Sequence, residues 1–317
     1  MARRLRFVPP GSLVEVTCRT VQGRLLLSPD PVVVDLIRGV LARAARLYPV
    51  DIHAFCFLSN HFHLLLTVPG ADRLAAFMNY LNANLAREVG RHIHWRERFW
   101  GRRYQAILVS HEPAAQIERL LYILRHGCKE HLVRHPDHWP GASSTDALRT
   151  GRPICGTWID RTAEYRQTRY GRSRHGRTSV TQVESLTLAP LPCWRDLPAA
   201  DYRARCVELI EQVAAETAQR LRALGREVLG RTRLLRQRPH ARAERLEKRP
   251  APLVHAATAR VRRHLRRSYR EFVDAFRRAA ASLRSGQLAA TEALLLFPLG
   301  AFPPPGPFVR AALSPPG

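Results

Sequence analysis

Two apolar runs, at residues 52–58 and 61–68, are parted only by Ser59 and Asn60, and no other feature constrains the fold of this chain as much. Runs of strand length joined by two polar residues read as an antiparallel hairpin. Residues 13–19, Leu-Val-Glu-Val-Thr-Cys-Arg, alternate β-branched with polar side chains and read as another strand. Residues 31–48 place Val33, Leu36, Ile37, Val40, Leu41 and Ala44 on one helical stripe, with Ser28 or Asp30 as the cap and Pro49 as the stop. Residues 71–90 repeat that spacing with Leu74, Phe77, Met78, Leu81 and Leu85. A strand near 104–109 follows, then a third helix from about 112 to 126 with Ile117, Leu120, Leu121 and Leu124 turned inward.

The resulting order, β-α-β-β-α-β-α, predicts an α+β fold: a ferredoxin-like (RRM-like) antiparallel sheet with helices on one face. Residues 1–145 suffice for this domain. Residues 146–198, rich in Pro, Gly, Ser and Arg, are expected to form a basic irregular connector. Residues 199–317 form a basic, mainly helical C-terminal region with a proline-rich tail; helical stripes return at 199–224 and again at 256–283.

Charge narrows the function. The 317 residues carry 51 Lys and Arg against 26 Asp and Glu, a net charge of +25, and all but Lys129 and Lys248 of the basic residues are arginine. Residues 1–150 hold 20 basic and 12 acidic side chains (+8), and residues 151–317 hold 31 and 14 (+17). Such a surplus repels itself unless a polyanion neutralises it, which makes nucleic acid the expected partner. No apolar run approaches the roughly 20 residues of a membrane span, and the start, Met-Ala-Arg-Arg-Leu-Arg, has no apolar export segment. A cytoplasmic, nucleoid-associated location is therefore expected. The six cysteines are scattered without a Cys-x-x-Cys pair, which speaks against a disulfide framework or a thiolate zinc centre.

Chemistry concentrates on Asn60-His61-Phe62-His63. On a strand, residues i and i+2 face the same way, so His61 and His63 present two imidazoles together while Phe62 and Leu64 face the helices. Two such imidazoles are half of a divalent-metal site. Two other histidine groups, His92/His94 and His131/His135/His138, lie in loop-like surroundings beside Arg and Pro and read as phosphate contacts or plain surface residues. On the third helix, Tyr122 and His126 stand four apart and share a face. A tyrosine, two strand histidines and one helix histidine make a coherent set for cutting a phosphodiester: the phenol attacks, and a metal stabilises the charge of the displacement.

These residues resemble the REP-associated tyrosine transposases, within the single-tyrosine HUH superfamily of insertion-sequence transposases. The resemblance rests on Asn60-His61-Phe62-His63-Leu64-Leu65-Leu66, on Tyr122-Ile123-Leu124-Arg125-His126 followed by Leu132-Val133, and on Trp100-Gly101-Arg102-Arg103-Tyr104. It covers residues 7 to about 145. It implies Tyr122 as nucleophile and His61, His63 and His126 as ligands of Mg²⁺ or Mn²⁺. The position of His126 more often carries Gln or Asn, and imidazole there favours Mn²⁺ or softer ions. The implied partner is single-stranded DNA folded into hairpins such as REP-like palindromes, nicked and rejoined through a 5′-phosphotyrosine link. The protein would be a monomer or a homodimer. Asn60, Arg102, Arg103, Arg125, Lys129, Tyr165 and Tyr170 are the expected DNA contacts, with Trp158 a further stacking candidate. The competing reading is a catalytically idle single-stranded nucleic-acid-binding protein on the same fold. A hydrolase using water would want carboxylates near the histidines, and Asp51 is the only one close in sequence.

Overall fold

The computed structural model describes residues 4–170, 180–242, 252–285 and 295–302. Its centre is a five-stranded sheet built from β1 (Ser12–Arg19), β2 (Asp51–Leu58), β3 (His61–Val68), β4 (Gln105–Val109) and a late, short strand at Val254–His255. The order across the sheet is β2, β3, β1, β4 and then the late strand. The first four run antiparallel, as the ferredoxin-like arrangement requires.

Alternation along the strands decides which layer covers which face. Val14, Val16, Phe62, Leu64 and Leu66 point to one side and pack against α1 (Pro31–Leu47) and α2 (Ala71–His92). Asp30 caps α1, its carboxylate accepting from the backbone N–H groups of Val32 and Val33, and Pro31 opens the helix where no N–H is needed. Leu13, Ala54, Cys56, Leu65 and Val109 point to the other side, against α3 (Pro113–Leu124). Arg125 loosens that helix at φ −76° and ψ −3°, and one more turn, α4 (His126–Lys129), carries it on.

The α+β class and the order of elements along the chain through α3 agree with the sequence reading, and two details differ. Helices cover both faces of the sheet, because both sets of alternating side chains are apolar and each needs a partner layer. The fifth strand, β7 in chain order, lies parallel to β4, pairing Leu108 with Val254 and Val109 with His255.

The segment 146–198 is not an irregular connector. It folds as α5 (Thr145–Thr150), β5 (Ile154–Ile159), α6 (Arg161–Tyr170) and β6 (Thr181–Leu186), with β5 and β6 paired as a hairpin that lies on α1. Glycine explains how the hairpin comes so close. A Cβ on Gly39 of α1 would stand 2.0 Å from the Thr157 carbonyl oxygen, and one on Gly156 would stand 2.3 Å from the Gly39 nitrogen. Arg43 and Arg46 of α1 then close on the buried Glu184 at 2.7 and 3.0 Å. Trp158 lies beneath the Arg43 guanidinium at 4.1 Å, so its ring is engaged within the protein and is not a free stacking platform.

Further on, α7 (Ala199–Leu224) buries Cys206, Ile210 and Val213 in the core it shares with α3 and α4, and α8 (Arg231–Leu235) adds Leu234 to the same core. The late strand β7 leads into α9 (Ala259–Ser285). Glu112, just before α3, receives hydrogen bonds from Ser110 and from the Ala257 and Thr258 backbone, fixing the start of α9 to the start of α3. The proline-rich tail from residue 303 and most of the basic run at 169–177 lie outside the described residues.

Two outcomes follow from these contacts. Gly39→Ala should cost about 1–3 kcal/mol through overpacking, read from chemical denaturation; an unchanged midpoint would mean that the hairpin is not seated on α1. The hydroxyl of Thr258 and the other donors hold the Glu112 carboxyl at about 2, below its ordinary 4.5. Because the folded value is the lower one, this interaction stabilises fully above 4.5 and fades as pH falls from there toward about 2. Glu112→Gln should therefore flatten the dependence of stability on pH across that window, compared with the parent protein.

Candidate active site

His61 and His63 project from β3 on the face covered by α3, and His126 opens α4 directly above them. The ring centroids stand 5.3 Å apart for His61 and His63, 4.9 Å for His61 and His126, and 4.4 Å for His63 and His126. One nitrogen from each of the three falls within 4.8 Å of the others, the only such group of potential metal ligands among the described residues. His92 instead faces Asp30 at 3.1 Å, and His135 faces Asp137 and Glu211, each at 3.6 Å.

Neighbouring oxygens orient the strand imidazoles. His61 Nδ1 donates to Asn60 Oδ1 at 2.6 Å, and His63 Nδ1 donates to Glu15 Oε1 at 2.7 Å. Each Nδ1 then carries the proton, and each Nε2 keeps its lone pair toward the cluster, the tautomer a metal ligand needs. The Nε2 atoms of His61 and His126 meet at 2.7 Å, while the buried His126 Nδ1 has no hydrogen-bond partner. Burial, reinforced by the neighbouring imidazoles, holds His61 and His126 well below the ordinary histidine range, so both are neutral near pH 7. Three converging imidazoles with an orphaned ring nitrogen among them suit a divalent cation.

Glu15 is the residue that sequence reading missed. It is 2% exposed in the middle of β1, on the same face as the histidines. Besides His63, it has His255 Nε2 of β7 2.7 Å from Oε2 and an Arg119 guanidinium nitrogen of α3 3.5 Å away. Burial alone would raise its carboxyl, but the contacts from His255 and His63 outweigh this and hold it far below the usual carboxylate range. The signal lay in the strand pattern: a carboxylate between Val14 and Val16, in phase with Leu13, has to sit within a covered face. Asp51, by contrast, is exposed at the start of β2.

Tyr122 of α3 completes the arrangement. Its ring centroid lies 5.3 Å from that of His63 and 5.1 Å from that of His126. Arg119 and Lys129 sit against the ring at 4.8 and 5.1 Å. Burial, and then the Glu15 charge, raise the phenol above its ordinary value, so it enters neutral solution protonated.

The remaining residues named from the sequence are spread over the molecule. Asn60 and Lys129 adjoin the cluster. Arg125 spans Glu118 and Glu216 at 3.7 Å each, tying α3 to α7. Arg102 and Arg103 line a cleft of about 680 Å³ with Met78, Asn79 and Asn82, on the α2 side of the sheet and not beside the histidines. Tyr165 lies exposed on α6, which Arg161 ties to the buried Glu88 of α2, so it too is on the far side. Tyr170 ends α6, and its side chain lies outside the described residues.

Similarity to known proteins covers part of this chain. Residues 27–125, which include the histidine strand and Tyr122, match the family described as "Transposase IS200 like". The match spans less than half of the chain. Among solved structures, one similar chain is a REP-associated tyrosine transposase bound to a REP hairpin. It is 18% identical with a TM-score of 0.40, over 48% of this chain and 87% of that one. Another is a "putative transposase" from Deinococcus radiodurans R1, 23% identical with a TM-score of 0.28, over 34% of this chain and 85% of that one. No protein of curated function matches.

Replacing Glu15 by Gln keeps the shape but removes the charge that orients His63. Mn²⁺ affinity of the full chain, followed by calorimetric titration, should fall about 10–100-fold. Equal affinity in the two proteins would show that Glu15 does not set the imidazole.

Proposed function

We propose that this protein is a metal-dependent transposase that nicks and rejoins single-stranded, hairpin-forming DNA through a covalent tyrosine intermediate. The observation that carries the reading is the convergence of Tyr122 with His61, His63 and His126 within one chain; His61, His63 and Tyr122 lie inside the segment that matches the IS200-like transposases, and His126 directly follows it. The surplus of arginine supplies the partner, since +25 of net charge calls for a polyanion. Among the described residues no helix is long and apolar enough to cross a membrane, and the protein acts where DNA is, in the cytoplasm at the nucleoid.

The roles divide by position. His61, His63 and His126 hold the cation, Mg²⁺ or Mn²⁺, with Asn60 and Glu15 fixing two of the rings. When bound, such a cation polarises the scissile phosphoryl oxygen and stabilises the charge of the displacement. Tyr122 Oη attacks the phosphorus: a P–Oη bond forms, the P–O3′ bond breaks, the phenol gives up its proton and the departing 3′ oxygen takes one up. The cut strand stays on the protein by its 5′ phosphate, and a 3′ hydroxyl attacking that link restores the tyrosine. Arg119 and Lys129, both against the ring, favour the phenolate that the raised phenol otherwise resists. They also offer positive charge to the phosphate. Because one chain brings all four groups together, a monomer already holds the full set.

Incubating the protein with labelled hairpin DNA and Mn²⁺ should give a band of protein-linked DNA on a denaturing gel. Tyr122→Phe should abolish that band while hairpin binding persists. A nicked product with no protein attached would point to water as nucleophile, and binding without any cut, across several hairpins and metals, would point to an idle binder.

A further inference from the structure

The C-terminal region carries a feature that nicking itself does not require. Helix α9 is strongly two-sided. One side buries Phe272 and Ala279 and turns Tyr269 and Phe276 toward aromatic neighbours: Phe7 faces Tyr269 and Phe272, and Phe297 faces Phe276. The other side exposes arginine. Between 259 and 270 there are six arginines and no carboxylate, and Arg260, Arg263, Arg266 and Arg270 form no ion pair among the described residues. Arg267 makes a long ion pair of 3.9 Å to Glu271 and a contact of 3.4 Å to His264 Nδ1. A cleft of about 1030 Å³ runs beside this face, bordered by Arg263, Arg267, Arg270 and His111.

Arg260, Arg263, Arg267 and Arg270 follow one another at spacings of three and four, so they line a single face over about 15 Å. At roughly 3.4 Å of axis per phosphate, that row faces about four phosphates of one strand of a duplex. The chemistry separates a duplex from a loose strand. Proteins that track unpaired nucleotides add aromatic platforms on which bases stack, and α9 has turned its aromatic rings inward. What remains outward is mainly guanidinium, with the His264 imidazole among it, on a rigid rod, and such a row positions a backbone more than it reads bases.

The placement is also specific. Glu112 fastens the start of α9 to the start of α3, the helix that carries Tyr122. His255, four residues before α9, reaches Glu15 and through it His63. A duplex on α9 is thereby held in fixed relation to the tyrosine and the histidines.

We infer that the arginine face of the first three turns of α9 is the docking surface for the paired stem of a DNA hairpin, whose unpaired flank is presented to Tyr122. This rests on the DNA-cutting reading of the site, yet it concerns binding and can fail or hold separately.

The test measures affinity of the full chain for a DNA hairpin and for an unpaired strand of equal length, without divalent metal, over a range of salt. The variant is Arg263→Gln, Arg267→Gln and Arg270→Gln together. Arg220→Gln, Arg222→Gln and Arg226→Gln, at and just beyond the exposed end of α7, remove the same charge elsewhere, and circular dichroism checks that both proteins fold. For the hairpin, the slope of log affinity against log salt should shrink by about 3 in the α9 variant, close to 0.9 for each phosphate that is no longer neutralised. The α7 control should keep its slope, and the unpaired strand should respond little to the α9 change. An unchanged slope, an equal loss for both DNAs, or an equal loss in the α7 control would overturn the inference. A loss confined to the hairpin and to α9 would support it even if no covalent adduct ever formed, in which case the cutting reading alone would fall.

Discussion

A carboxylate buried in a sheet is expensive unless every side of it is answered, and the answer to Glu15 organises this molecule. The groups around it come from four different elements: its own strand β1, His63 of β3, Arg119 of α3 and His255 of β7. Removing any one of these leaves charge in the interior with less to balance it. The same contacts set the tautomer of His63, hold α3 over the sheet and bring the C-terminal strand to its edge. Stability and site geometry therefore rest on one interaction. This explains why a residue as distant in sequence as His255 belongs to the neighbourhood of the histidine cluster.

The two faces of the sheet have separate duties. On one, α1 and α2 supply a dry aliphatic layer, and the β5–β6 hairpin seals α1 through the backbone contact at Gly39 and Gly156. On the other, α3, α4 and α7 enclose a largely apolar region in which the histidines, Glu15 and Tyr122 meet. The chemistry is thus built into a face that packing already holds rigid, which suits groups that must converge to within a few ångströms.

Much of this was legible in the chain because the signals were local. The run through His61 and His63 shows period two, the Tyr122–His126 pair shows helical spacing, and Asp30 with Pro31 marks a helix start. What could not be read was non-local. Glu15 looks like any polar residue of an amphipathic strand until β3 and β7 are placed beside it. The hairpin of residues 154–186 hides in a composition that resembles a linker, because its stability comes from contact with α1 more than from a strong apolar pattern of its own. Arg102 and Arg103 adjoin a strand of the sheet, yet the side of the sheet they reach depends on how α2 packs. Arg125 reads as a DNA contact by charge, but Glu118 and Glu216 already engage it.

The account turns on Tyr122 as the atom donor of the covalent link. The most direct measurement is mass spectrometry of trypsin-digested protein after reaction with a hairpin DNA and Mn²⁺. Cleavage after Arg119 and Arg125 isolates Leu-Leu-Tyr-Ile-Leu-Arg, a peptide in which Tyr122 is the only nucleophilic side chain. The account predicts that this peptide carries a nucleotide through its 5′ phosphate. A nucleotide on another peptide, or cut DNA with this peptide unmodified throughout, would contradict it.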